Sequence, residues 1–344
     1  MRKLLVVLVL LVAVGYAGSQ GYGWYQSQIN DPVGGDTRPV AVHIASGEPA
    51  DALAADLVAK GLVRNRDVFL FYLRSRGNGA NIQAGDFQLS PSMSMAAIVE
   101  RLTSGTPNTL QIRLAEGLTL AKMAEAVQAS GLASAQQYTN AAQLAGHQES
   151  FLQGRPQGAP PTLEGFLFPD TYQLAPSAGA PALVQLQLDR FGRIVGAGLS
   201  QEIQAPAAGR PQLSLYQLVS AASIVEREVN RDPDRRIVCG IIFNRLQQGM
   251  PLQIDATVLY GLGRFGGQLT QADLAQDTPY NSYLHQGLPP GPIANPGEAA
   301  LKACAEPQPS SYLFYFSDPS GVTHYATTGD EFERLKRQFG VAGG

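Results

Sequence analysis

The first half of the chain repeats itself, and this restricts it to small β/α modules. Val40, Val42 and Ile44 alternate as a half-buried strand does, and Gly47 turns the chain. Ala50, Leu53, Ala54 and Leu57 then recur at helical spacing, and Gly61 closes the helix. Placing Gly117 on Gly47 superposes Ile112 on Val42, Leu114 on Ile44, Met123 on Leu53, Ala124 on Ala54 and Val127 on Leu57. In the first copy the pattern continues with a helix over 66–76, a short strand near 87–89 and a helix over 94–102 ahead of Gly105. Neither copy clusters titratable residues, so both read as binding or positioning units.

The module is preceded by Arg2, Lys3 and an uncharged run from Leu4 to Ala17. Positive charge before an apolar stretch directs the N-terminus to the cytoplasm. The run is short for a full span, but no charge follows until Asp31, and Tyr16, Tyr22, Trp24 and Tyr25 suit the far interface. An uncleaved anchor and a cleaved signal peptide both fit, and either puts the bulk of the chain outside the cytoplasm. The expected architecture is α+β. A membrane anchor covers 1–25 and a polar linker 26–39. A β/α module covers 40–107, a second such module with inserted loops 108–205, and a mixed α+β catalytic domain 206–344.

A net charge of −3 and no basic stripe argue against nucleic acid as a partner. Cys239 and Cys304 lie in apolar helical runs without metal-ligand spacing, so no metal is expected. They read as buried free thiols, with a disulfide between them as the alternative.

One helix stands out, over 214–229. Leu215, Leu218, Val219, Ala222, Val225 and Val229 share a face, and Glu226 falls inside that stripe while Glu228 falls off it. A carboxylate left unpaired on an apolar face is held protonated by desolvation, the state a general acid needs. The bland alternative is a buried ion pair with Arg227, Arg245 or another arginine. Downstream, the run IIFNRLQQGMPLQIDATVLYGLG places Gln253, Asp255 and Thr257 in alternation with apolar residues, as on an extended segment. DTPYNSYLHQGLPPGPIANPG follows, a loop stiffened by proline and glycine. It offers Tyr280, Asn281 and Tyr283, polar groups with aromatic faces that suit sugar rings.

The blocks EGFLFPDTY, ASIVEREV, FNRLQQGMPLQIDATVLYGLG, TPYNSYLHQGLPPGPIANPG and YLFYFSDPSGVTHYATTGDE occur in that order. Together they resemble the endolytic murein transglycosylase family (MltG, YceG-like), specifically from Glu164 onward and more loosely from residue 40. The resemblance implies a single-span membrane protein with LysM-like modules. It implies an extracytoplasmic catalytic domain that cuts peptidoglycan glycan strands between N-acetylmuramic acid and N-acetylglucosamine, leaving 1,6-anhydro ends and needing no cofactor. It places the catalytic acid/base at Glu226, with Glu228 in support. Gln253, Asp255, Tyr260, Asn281 and Tyr283 are the candidates for binding sugar, and the synthases of peptidoglycan are implied as partners. The competing reading is a non-catalytic wall-binding scaffold of the synthesis machinery.

Overall fold

The structure is a computed structural model, and it describes residues 2–77, 82–199, 203, 205, 207–229 and 231–341, without the side chains of 2–11, 197 and 198. The described chain is α+β and divides into two compact units, 1–110 with 174–177, and 111–173 with 178–344.

In the first unit, helix α1 (Arg2–Asn30) runs unbroken into the stretch read as linker. Its end packs by Ile29 and by Tyr25, whose ring meets Phe71 edge-on at 5.7 Å. Val12, Val14, Tyr16, Tyr22 and Trp24 are exposed on it. Among the described residues no helix is long and apolar enough to cross a membrane. Part of the expected anchor, the side chains of residues 1–11, lies outside the described residues.

Strands β1 (Val40–Ile44) and β2 (Gly85–Leu89) pair antiparallel, with Val42 opposite Phe87. Between them lie α2 (Ala50–Ala59) and α3 (Arg66–Ser75), and α4 (Met95–Ser104) follows. Asn65 caps α3 by accepting the Asp67 and Val68 N–H groups, and Ser94 caps α4 through Ala97 N–H. Val42, Leu53, Leu57, Phe69, Phe87 and Ile98 form the core.

The second unit opens with the same order of elements. Strand β3 (Leu110–Arg113) leads to α5 (Leu120–Ser130) and α6 (Ala135–Ala141), and β3 pairs with β4 (Thr171–Leu174) after an inserted loop. The aligned turn glycines take matching left-handed conformations, φ 76° at Gly47 and 75° at Gly117. The aligned apolar residues are buried in both copies. The repeated unit is therefore β–α–α–β, longer than the strand–turn–helix visible in sequence.

Helix α7 (Gly179–Arg193) precedes three packed helices, α8 (Leu215–Glu228), α9 (Asp232–Gln247) and α12 (Glu298–Ala305). Short helices α10 (Asp255–Gly261) and α11 (Gln271–Leu274) lie between α9 and α12. The hairpin β5 (Phe314–Ser317) and β6 (Thr323–Ala326) and helix α13 (Gly329–Gln338) end the unit. Cys239 of α9 and Cys304 of α12 are joined in a disulfide, where the sequence reads as free thiols. Helices packed side by side bring the two Cα atoms to 5.4 Å, within bridging distance, which spacing along the chain does not reveal.

Candidate active site

Ser214 starts α8 with a capping box, its hydroxyl accepting Gln217 N–H while the Gln217 side chain accepts Ser214 N–H. From Leu218 to Glu226 every residue is buried. Neighbours surround the helix, so its apolar stripe does not single out one inward face.

Glu226 is 7% exposed and paired. Arg235 Nη2 of α9 donates to Oε1 at 3.0 Å, and the backbone N–H of Gly297, at the start of α12, donates to Oε2 at 2.9 Å. Arg235 also binds Asp232. The lone carboxylate expected from periodicity is thus the closed ion pair of the bland alternative, made with Arg235. Its evident work is to tie α8 to α9 and α12. Glu116 packs against the same spot, where a β-carbon on residue 297 would collide with it. Burial, and then the charge of Glu226, push the Glu116 carboxyl above its usual range.

Two residues on, at the last position of α8, Glu228 is half-buried and lines an open groove of 680 Å³. Tyr315 Oη of β5 donates to Glu228 Oε2 at 2.8 Å. Burial pushes the Glu228 carboxyl up, and the charge of Asp255 adds to this, outweighing the Tyr315 hydrogen bond. Burial and the Glu228 carboxylate likewise hold the Tyr315 phenol far above its ordinary range, so it stays a donor.

Gln253, Asp255 and Tyr283 line the same groove. Tyr283 Oη donates to Asp255 Oδ1 at 2.6 Å. Asp255 opens helix α10 rather than continuing an extended segment, because Ile254, Thr257 and Val258 turn inward at helical spacing. Gln253 carries a φ of 53°, a conformation that among the described residues only glycines otherwise share. Its N–H is held by Ser282 O at 3.0 Å, and the side chain is exposed. Arg245 braces this floor, donating from Nε to Leu313 O and from Nη1 to Pro251 O and Leu252 O.

Two sequence candidates lie elsewhere. Asn281 is fully buried, its amide donating to Leu274 O and Gln276 O and its carbonyl accepting Tyr283 N–H. It shapes the loop from within and cannot reach a sugar without unfolding it. Tyr260 lines a separate 530 Å³ cavity, packs at a tilt against Tyr280 with ring centroids 4.8 Å apart and donates to Glu164 Oε2 at 3.2 Å.

Glu164 and Asn295 were not among the sequence candidates, yet they organise the motif blocks. Leu120 N–H at the start of α5 donates to both Glu164 oxygens at 2.9 Å, and Asn295 Nδ2 donates to Oε1 at 2.7 Å. Asn295 Oδ1 in turn accepts the N–H groups of Gly165 and Leu167. Burial lifts the Glu164 carboxyl to about 7 in spite of these donors. Tyr315 was also missed; the only signal for it in sequence is its place in the aromatic run of β5.

The groove thus sets a carboxyl of raised pKa beside aromatic faces of the kind that pack on sugar rings. The chain belongs to the YceG-like family, whose model matches residues 42–338. It is 29% identical over 332 residues to the endolytic murein transglycosylase of Bacillus subtilis (strain 168), covering 92% of this chain and 89% of that protein. It is 30% identical over 358 residues to that of Streptococcus pneumoniae (strain R6), covering 96% of this chain and 63% of that protein. The crystal structure of a putative YceG-like protein from Listeria monocytogenes superposes with a TM-score of 0.60 at 26% identity, covering 88% of this chain and 100% of that one.

Proposed function

We propose that the protein is a lytic murein transglycosylase that cuts glycan strands between N-acetylmuramic acid and N-acetylglucosamine, with Glu228 as its acid/base. The relatives from Bacillus subtilis and Streptococcus pneumoniae are named endolytic murein transglycosylase. The observation that supports this choice of residue is that Glu228 lies in the groove beside Asp255, Gln253 and Tyr283, while Glu226 is closed against Arg235.

A raised carboxyl is protonated at a pH where an exposed glutamate is not, so Glu228 can give its proton to the glycosidic oxygen. Charge then develops at the anomeric carbon, and the nearby Asp255 carboxylate stabilises it electrostatically. Glu228, now ionised and held by Tyr315, takes the proton of the muramic 6-hydroxyl as that oxygen attacks its own anomeric carbon. One bond breaks, one forms, and the proton count closes without water. Gln253 and Tyr283 orient the sugar.

We place the groove outside the cytoplasm, on an N-terminal anchor. The Cys239–Cys304 disulfide supports an oxidising compartment. Arg2, Lys3 and the exposed apolar and aromatic side chains along α1 support membrane attachment. The β–α–α–β modules are proposed to bind glycan.

Mass spectrometry of glycan digested by the wild type, Glu228→Gln and Glu226→Gln tests the assignment. Anhydro-ended fragments should vanish with Glu228→Gln. Glu226→Gln should retain the chemistry at reduced stability. Loss of product from Glu226→Gln alone, in folded protein, would return the role to Glu226. Fragments heavier by one water would make the enzyme a hydrolase, with Asp255 as the second carboxylate.

A further inference from the structure

We propose that Lys336 receives a carboxylate borne by the muramic residue and so sets the register of the glycan strand over Glu228. The inference rests on the transglycosylase reading above. Glu228 and Asp255 bring acid to the groove, and Lys336 of α13 lines it together with Phe314 and Phe332.

Arg245 also lines the groove, but its guanidinium is engaged by the Leu313, Pro251 and Leu252 carbonyls. Lys336 is engaged differently. Its Nζ lies 5.2 Å from the Phe332 ring centroid and 3.9 Å from Glu333 Oε1, beyond hydrogen-bonding reach. Its side chain is only 15% exposed, so its charge is less screened than that of a surface lysine.

The substrate explains the need. The two alternating sugars share a ring and an N-acetyl group, so aromatic walls and amide hydrogen bonds read them alike. They differ in the lactyl ether at O3 of the muramic residue. That arm carries a carboxylate of its own, or a peptide that carries carboxylates. Such a group is repelled by Glu228 and Asp255 and attracted by Lys336. Attraction of that carboxylate to Lys336 therefore seats the strand in one register, which decides which of the two linkages meets Glu228.

The test is equilibrium binding in a Glu228→Gln background, where no turnover intervenes. Three ligands are compared: strands stripped of peptide, peptide-bearing strands, and chitin oligosaccharides lacking any carboxylate. Adding Lys336→Met should weaken binding of carboxylate-bearing strands by about tenfold, and Lys336→Arg should restore most of it. Chitin binding should not change. A loss confined to stripped strands identifies the lactyl carboxylate, and a loss confined to peptide-bearing strands identifies the peptide. Equal affinities with and without Lys336→Met, or an equal loss on chitin, would overturn the proposal. Because binding is the readout, absence of anhydro product from the wild type would sink the lytic mechanism without touching this result.

Discussion

Glu226 and Glu228 are two residues apart on one helix and meet opposite environments. One closes an ion pair at the junction of three helices, and the other reaches a groove. Removing the Glu226 charge leaves Arg235 with Asp232 as its remaining carboxylate, so Glu226→Gln should cost about 1–3 kcal/mol in a denaturation experiment. At Glu228 the expected effect is on activity. A general acid with a raised pKa is lost as pH rises through it, so kcat should fall on the alkaline side. Asp255→Asn removes part of the upward push and should move that limb to lower pH. Glu164 gives a stability effect instead. Its folded value of about 7 lies above the ordinary 4.5, so its contribution is complete below 4.5 and lost as pH rises through about 7. Urea unfolding across that window should show stability falling with pH, by on the order of 3 kcal/mol, and Glu164→Gln should flatten the slope. Sequence reading singled out Gln253, Asp255 and Tyr283, and these line one groove, whereas Asn281, in the same stiff loop as Tyr283, turns inward. Glu228 was read only as a support and Tyr315 not at all, because their proximity is made by chain segments far apart in sequence.

Among the elements, α8 shows where periodicity stops informing. A hydrophobic stripe marks the inner face of a helix that has an outer one, and α8 is buried all round from Leu218 to Glu226. The repeat fared better. Its turn glycines and buried positions follow from strand and helix periods alone, whereas the closing strand β4 is displaced by an insertion that no period spans. The turn at Gln253 was invisible for a different reason, since no rule of composition foretells a left-handed glutamine. It makes a specific expectation. Gln253→Val should destabilise by about 1–2 kcal/mol in thermal melts because a β-branched residue resists that φ, while Gln253→Gly should not.

For the whole molecule, the disulfide and the N-terminal helix bear on where the protein works. If it resides outside the cytoplasm, denatured protein isolated from the envelope should show no free thiol, and detergent rather than high salt should release it from membranes. Free Cys239 and Cys304 in such protein would contradict the placement. Mutating both cysteines to serine should lower stability by about 4 kcal/mol if chain entropy dominates the effect. The bond also closes a covalent ring. Arg245, Gln253, Asp255 and Tyr283 all lie between Cys239 and Cys304, so most of one lip of the groove belongs to this circle. A protease that nicks an exposed loop within it would leave the two fragments fastened together, parting only when a reductant is added.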